Sequence, residues 1–197
     1  MLVHIVYAHP SAGSFTNGLL TAFIDGLTAA GHSYTLSDLY AAGFNPLLSP
    51  EEYSRESNYA ADRPLPPDVV AEHALLDAAD VWAFVYPVWW SDVPAILKGW
   101  FDRVWTVGWA YQPATVQRAR KAVVLCATGH TVDHLQTAGI LPAMQTVMLD
   151  DRIADHADEQ EFHLFDGSEA LSPDEWATVK VQHLARAEQL GREIVTA

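Results

Sequence analysis

Short runs rich in β-branched and aromatic residues alternate with helical patterns along this chain, and that alternation restricts its fold more than any other feature. The runs LVHIVYA (2–8), SYTLSDL (33–39), VWAFVY (81–86), KAVVLCAT (121–128) and EFHLFDG (161–167) read as five strands. Between the first two, Phe15, Leu19, Leu20, Phe23, Ile24 and Leu27 recur at helical spacing, with Ser14 as a cap and Gly31 closing the helix. DVVAEHALLDAAD (68–80) is a second helix, and Ile96, Leu97, Trp100, Phe101 and Val104 mark a third. A helical region follows Gly129 to about residue 149, and a last helix starts at Ser172-Pro173 and runs towards Ile194. Residues 40–68, with Pro46, Pro50, Pro64, Pro66 and Pro67, read as an irregular excursion longer than an ordinary connection.

Several of these strands are apolar on both faces, as strands of a parallel sheet covered by helices on both sides must be. A chain of 197 residues suffices for one such α/β domain, 1–197, without disulfide or metal staples. The single cysteine, Cys126, lies in an apolar run and has no internal partner, as suits a reducing, cytoplasmic setting. With a formal net charge of -14 the surface repels phosphate backbones, which argues against nucleic-acid binding. No apolar run reaches the roughly 18 residues of a membrane span, and MLVHIVYAHPSAG lacks the pattern of a signal peptide, so neither an integral membrane segment nor export is expected.

In open parallel sheets the ligand sits outside the carboxyl ends of the strands, which directs attention to three loops. HPSAGSFTN joins a strand end to a helix start, where free N–H groups and the helix dipole favour an anion. Ser11, Ser14 and Thr16 add hydroxyls there, and His9 adds a donor or a positive charge. Neither GxGxxG nor GxxxxGK[ST] is present. In PVWWSDVP, Pro87 fixes the chain while Trp89 and Trp90 offer flat apolar faces. In an extended segment these two would point opposite ways, so only one would meet a given ligand, whereas Trp100 and Phe101 fit a packed helix face. ATGHTVDH ends a strand with a glycine that admits close backbone approach. His130 and His134 have the i,i+4 spacing of a metal pair, but a third ligand and an HExxH are both missing, so no metal is expected. No GxSxG elbow supplies a hydrolytic nucleophile. Loops suited to a phosphate, a flat apolar ring and ring-edge polar atoms together describe a flavin nucleotide.

The string PPDVVAEHALLDAADVWAFVYPVWWSDVPAILKGWFDRVW, followed by GWAY, with AHPSAGSFTN upstream, resembles the flavodoxin-like NAD(P)H:quinone oxidoreductases. That family includes DT-diaphorase and the bacterial modulators of drug activity, and the likeness covers roughly residues 2–130. The resemblance implies a flavodoxin-like, doubly wound five-stranded parallel sheet of order 2-1-3-4-5, a homodimer, and a site at the dimer interface. It implies ping-pong hydride transfer from NAD(P)H through the flavin to a quinone or another flat aromatic acceptor.

Carried onto this chain, the resemblance gives His9, Phe15 and Thr16, with the Ser14 cap, to the phosphate-bearing side of the flavin. Pro87, Val88, Trp89, Trp90 and Ser91 would border its ring with N–H groups near N5, and Ala127, Thr128, Gly129 and His130 would meet the other edge. Tyr111 of GWAY would line the pocket of a neighbouring subunit beside Trp90. His130 and His134 are the candidates for a proton-relay or orienting role, and His134 for substrate contact. SNYAAD (57–62) resembles the segment that reaches the adenine side of FAD, with Asn58 at the polar position, which favours FAD over the alternative, FMN. A flavodoxin-type electron carrier and a regulatory subunit of a transporter are the rival readings on this fold.

Overall fold

The computed structural model describes residues 1–194, so the last three residues of the expected domain lie outside the described residues. The strands are β1 (Leu2–Tyr7), β2 (Ser33–Asp38), β3 (Val81–Pro87), β4 (Ala119–Ala127) and β5 (Ala157–Phe165). All four pairings are parallel and the order is β2-β1-β3-β4-β5, as the resemblance implies. The helices are α1 (Phe15–Ala29), α2 (Pro50–Ser57), α3 (Pro67–Ala78), α4 (Ala95–Val104), α5 (Val132–Thr137), α6 (Ile140–Gln145) and α7 (Pro173–Arg192).

The period-2 geometry of β3 explains the two-sided core. Val81, Ala83 and Val85 point to one face, where they join Leu19, Phe23 and Leu27 of α1 and Ala187 of α7. Trp82, Phe84 and Tyr86 point to the other, with Leu76 of α3, Leu97, Trp100, Phe101 and Val104 of α4, and Leu141 and Met144 of α6. Every residue of β3 is buried, hence its uninterrupted apolar text. Trp100 and Phe101 are packing residues, as their helical spacing implies.

Apart from shifts of one or two residues at element ends, three regions differ from the sequence expectation. The excursion is not wholly irregular, because Ser49-Pro50-Glu51-Glu52 starts α2 with a reciprocal capping box and proline at the first turn. Arg103 anchors this excursion, donating to Glu52 Oε1 at 2.7 Å, to the Asn45 carbonyl at 2.8 Å and to both oxygens of Asp68. β5 begins at Ala157 rather than 161, its polar start reflecting a half-solvated edge strand. The helical region after Gly129 is divided into α5, α6 and a π-helical segment, Thr146–Ile153. No helix among the described residues is long and apolar enough to cross a membrane.

Candidate active site

The loops after β1, β3 and β4 meet at the carboxyl edge of the sheet, joined there by the loop after β5. In the first loop, Ser14 caps α1 by accepting from the Asn17 N–H at 3.0 Å. The Phe15 and Thr16 N–H groups accordingly lead α1 with no acceptor among the described residues. Thr16 is buried and its hydroxyl has no protein partner among them either. His9 Nδ1 accepts from the Ser11 N–H at 3.0 Å, so the neutral ring carries its proton on Nε2. Burial lowers the His9 pKa, which favours the neutral ring as a hydrogen-bond donor over the charged one.

The β3 loop is a tight turn, not an extended segment. Trp89 and Asp92 exchange backbone hydrogen bonds at 3.0 and 3.2 Å, and φ is positive at both central residues, 53° at Trp90 and 63° at Ser91. This is the pattern of a two-residue primed turn, adopted here without glycine or asparagine. The expectation that Trp89 and Trp90 diverge therefore fails, and both line one cavity. Trp90 is 100% exposed and Trp89 41%. Val88 N–H is committed to the Ala127 carbonyl at 2.7 Å, so the free donors of this turn are Trp90 and Ser91 rather than the whole run.

Across the cavity, Thr128 N–H bonds the Phe165 carbonyl at 2.9 Å, while the Gly129 and His130 N–H groups have no acceptor among the described residues. The cavity between the two loops has a volume of about 470 Å³, and Val88, Ser91, Thr128, Leu135 and Ile140 complete its wall. Pro87 and Ala127 end their strands as buried neighbours and do not line it. His130 does line it, and His134 stands behind His130 on α5 with ring centroids 4.8 Å apart. No group of three or more His, Cys, Asp or Glu among the described residues is placed to hold a metal ion.

Glu169, absent from the sequence reading, lines the same cavity. The Gly167, Ser168 and Glu169 N–H groups donate to the carbonyls of His130, Thr128 and Gly129 at 3.1, 3.4 and 3.1 Å. This stitching fixes the β5 loop against the β4 loop. The signal was the Asp166-Gly167 turn, which ends a fifth strand at the edge where the other loops gather.

Asn58 and Tyr111 lie elsewhere in the chain. Asn58 ends α2 and donates its amide to the Ser54 carbonyl at 2.7 Å. The Tyr111 hydroxyl donates to Glu56 at 2.8 Å, and burial and that carboxylate push its pKa up to about 12. Trp109 reaches Asp77, close to the start of β3, and the Ala110 carbonyl accepts from His156, beside the start of β5. The GWAY loop therefore sits at the amino edge of the sheet, opposite the cavity of its own chain.

A sequence profile for the flavodoxin-like fold matches residues 1–190. NAD(P)H dehydrogenase (quinone) 1 of Rattus norvegicus is 35% identical over 162 residues, 73% of this chain and 59% of that protein. The match thus spans less than two thirds of the rat protein's length. Ribosyldihydronicotinamide dehydrogenase (quinone) of Homo sapiens is 33% identical over 156 residues, 70% of this chain and 68% of its own. Among solved structures, the NAD(P)H:quinone oxidoreductase of Methanothermobacter marburgensis superposes with a TM-score of 0.93 at 44% identity, covering 100% of this chain and 97% of that one.

Proposed function

The chain belongs to the family of flavodoxin-like fold, and from that premise we propose that it is a flavin-dependent NAD(P)H:quinone oxidoreductase. The observation that carries this reading is the set of free backbone donors at one sheet edge: Phe15 and Thr16 at the start of α1, Trp90 and Ser91 on one wall of the cavity, Gly129 and His130 on the other. Donors at a helix start suit a phosphate. Donors flanking an aromatic-walled slot suit the heteroatoms along the rim of a flat ring. The likeness to the rat, human and archaeal enzymes named above supports the same assignment.

In this reading His9 Nε2–H, the Thr16 hydroxyl and the α1 N–H groups hold the phosphate side. The Gly129 and His130 N–H groups would donate to the edge of the ring that gains negative charge on reduction. When bound, the flavin supplies two-electron chemistry, taking a hydride from NAD(P)H and passing it to a quinone or similar acceptor. The protein's part is to bind, to orient flat substrates against Trp89 and Trp90, and to keep water away. His130, backed by His134, stands at the cavity wall as a group able to hold or move a proton.

FAD is the flavin favoured by SNYAAD, with FMN the alternative. Because Asn58 and Tyr111 lie away from their own chain's cavity, both would serve the cavity of a second copy, so this part of the reading requires a homodimer. Purified protein should be yellow, release FAD on denaturation and oxidise NAD(P)H when a quinone is present. Colourless protein that neither retains added flavin nor supports that oxidation would overturn the assignment. Reduction by NAD(P)H also separates this reading from an electron carrier.

A further inference from the structure

We propose that Glu169 determines the charge of the acceptor that this cavity admits, selecting neutral and cationic flat molecules over anionic ones. The inference rests on the oxidoreductase reading above and extends it to substrate class. Glu169 is the one carboxylate lining the cavity, and neither lysine nor arginine lines it. Among the described residues its side chain takes part in no hydrogen bond and no ion pair, so its charge is not neutralised within the protein.

The position of that carboxylate is built rather than incidental. The backbone is held by the Glu169 and Ala170 N–H groups, both donating to the Gly129 carbonyl at 3.1 Å. The side chain lies across the bare Cα of Gly129, where an added Cβ would stand 2.7 Å from Glu169 Cδ and 2.8 Å from Oε2. Glu169 is exposed at the rim of the cavity, so solvent screens its charge in part and its field acts at short range, on a group held in the slot beside it. The overall charge of -14 reinforces the same sign at longer range.

The test compares kcat/KM for a neutral naphthoquinone and its sulfonate in the wild-type holoenzyme, Glu169→Gln and Glu169→Asp. The wild type should prefer the neutral quinone, and Glu169→Gln should reduce that preference about three- to tenfold, the range for one unit charge acting across a partly solvated slot. Glu169→Asp should retain most of it. Raising the salt concentration should erode the preference in the wild type and leave Glu169→Gln nearly flat. The midpoint potential of the bound flavin should rise in Glu169→Gln, a shift that a purely structural role would not produce. An unchanged quinone-to-sulfonate ratio in Glu169→Gln overturns the proposal even when turnover is brisk. Should neither quinone be reduced by the wild type, the oxidoreductase reading fails, and titration calorimetry with 2-naphthol and its 6-sulfonate then decides the inference. Tighter sulfonate binding to Glu169→Gln than to the wild type upholds it, and equal binding overturns it.

Discussion

Arg152 grips Asp92 through both nitrogens of its fork, Nη1 to Oδ1 at 2.9 Å and Nη2 to Oδ2 at 3.2 Å. Asp92 closes the turn that carries Trp90 and Ser91 at positive φ, and Arg152 belongs to the π-helical segment that continues from α6. The pair therefore ties one wall of the cavity to the helices behind it. Burial is the largest single influence on the Asp92 carboxylate and works against it, but the Arg152 hydrogen bonds and charge, the Val93 N–H and the Lys98 charge together hold the pKa below the ordinary value. Arg152 also lies over the Phe101 ring at 5.4 Å, and its carbonyl accepts from Trp105 Nε1 at 2.6 Å.

Replacing Arg152 with Met should loosen the turn without opening a large hole. Asp92 is about half exposed, so the stability cost should be about 1–2 kcal/mol rather than the larger penalty of a fully buried broken pair. Flavin affinity should fall about tenfold, since a misplaced wall disturbs binding more than folding. Arg152→Lys should recover less than half of that loss, because an ammonium cannot reproduce the fork. Urea unfolding and fluorescence titration with flavin measure the two effects separately.

The tryptophans of one short stretch should divide by experiment as they divide in space. Trp90 is fully exposed, whereas Trp100 is fully buried and donates its indole N–H to Glu72 at 2.9 Å. Trp90→Ala should change stability by less than about 0.5 kcal/mol while weakening flavin retention or turnover. Trp100→Ala should cost about 3–5 kcal/mol, with Glu72 left short of a donor. If Trp90→Ala lost stability and kept full flavin binding, the turn would belong to the packing of the protein.

The sheet was legible because both faces of β3 are buried, which left VWAFVY without a polar residue. Ligand loops were legible because parallel topology puts them at one edge, yet the same rule applied to β5 would have disclosed Glu169. Helix α2 escaped notice because eight mostly polar residues cannot show an apolar stripe, although Ser49 and Glu52 spelled its capping box. The geometry at Trp90 and Ser91 could not be read from residue type, because nothing in either side chain favours positive φ. Tertiary contacts such as Tyr111 with Glu56 decide where Asn58 and Tyr111 lie, and local patterns carry no trace of them.

Gly99 should be intolerant of substitution. A Cβ at this position of α4 would collide with the Pro46 carbonyl and ring, both fixed parts of the excursion that leads into α2. The backbone cannot yield as a flexible side-chain tip can. Gly99→Ala should therefore destabilise by about 1–3 kcal/mol despite the better helix propensity of alanine. Thermal unfolding measures the loss, and a neutral or stabilising effect would mean that the excursion is not seated on α4.

His73 should give the protein a dependence on acid. The buried ring donates from Nε2 to the Val104 carbonyl at 2.8 Å and stacks on Trp109 with centroids 4.0 Å apart and planes 7° from parallel. Burial lowers its pKa, and the nearby Asp77 and the Val104 hydrogen bond do not restore it. The native state thus holds fewer protons than the unfolded chain once pH falls below the unfolded value of about 6.5. Stability contributed by neutral His73 is complete above that value and declines as pH drops through it towards the folded pKa. His9 and His163, also lowered by burial, slope in the same direction. Urea midpoints measured from pH 8 to pH 5 should fall for the wild type, and the fall should be shallower in His73→Gln, whose side chain does not titrate. The difference between the two curves isolates His73, and parallel curves would show that its protonation is not coupled to folding.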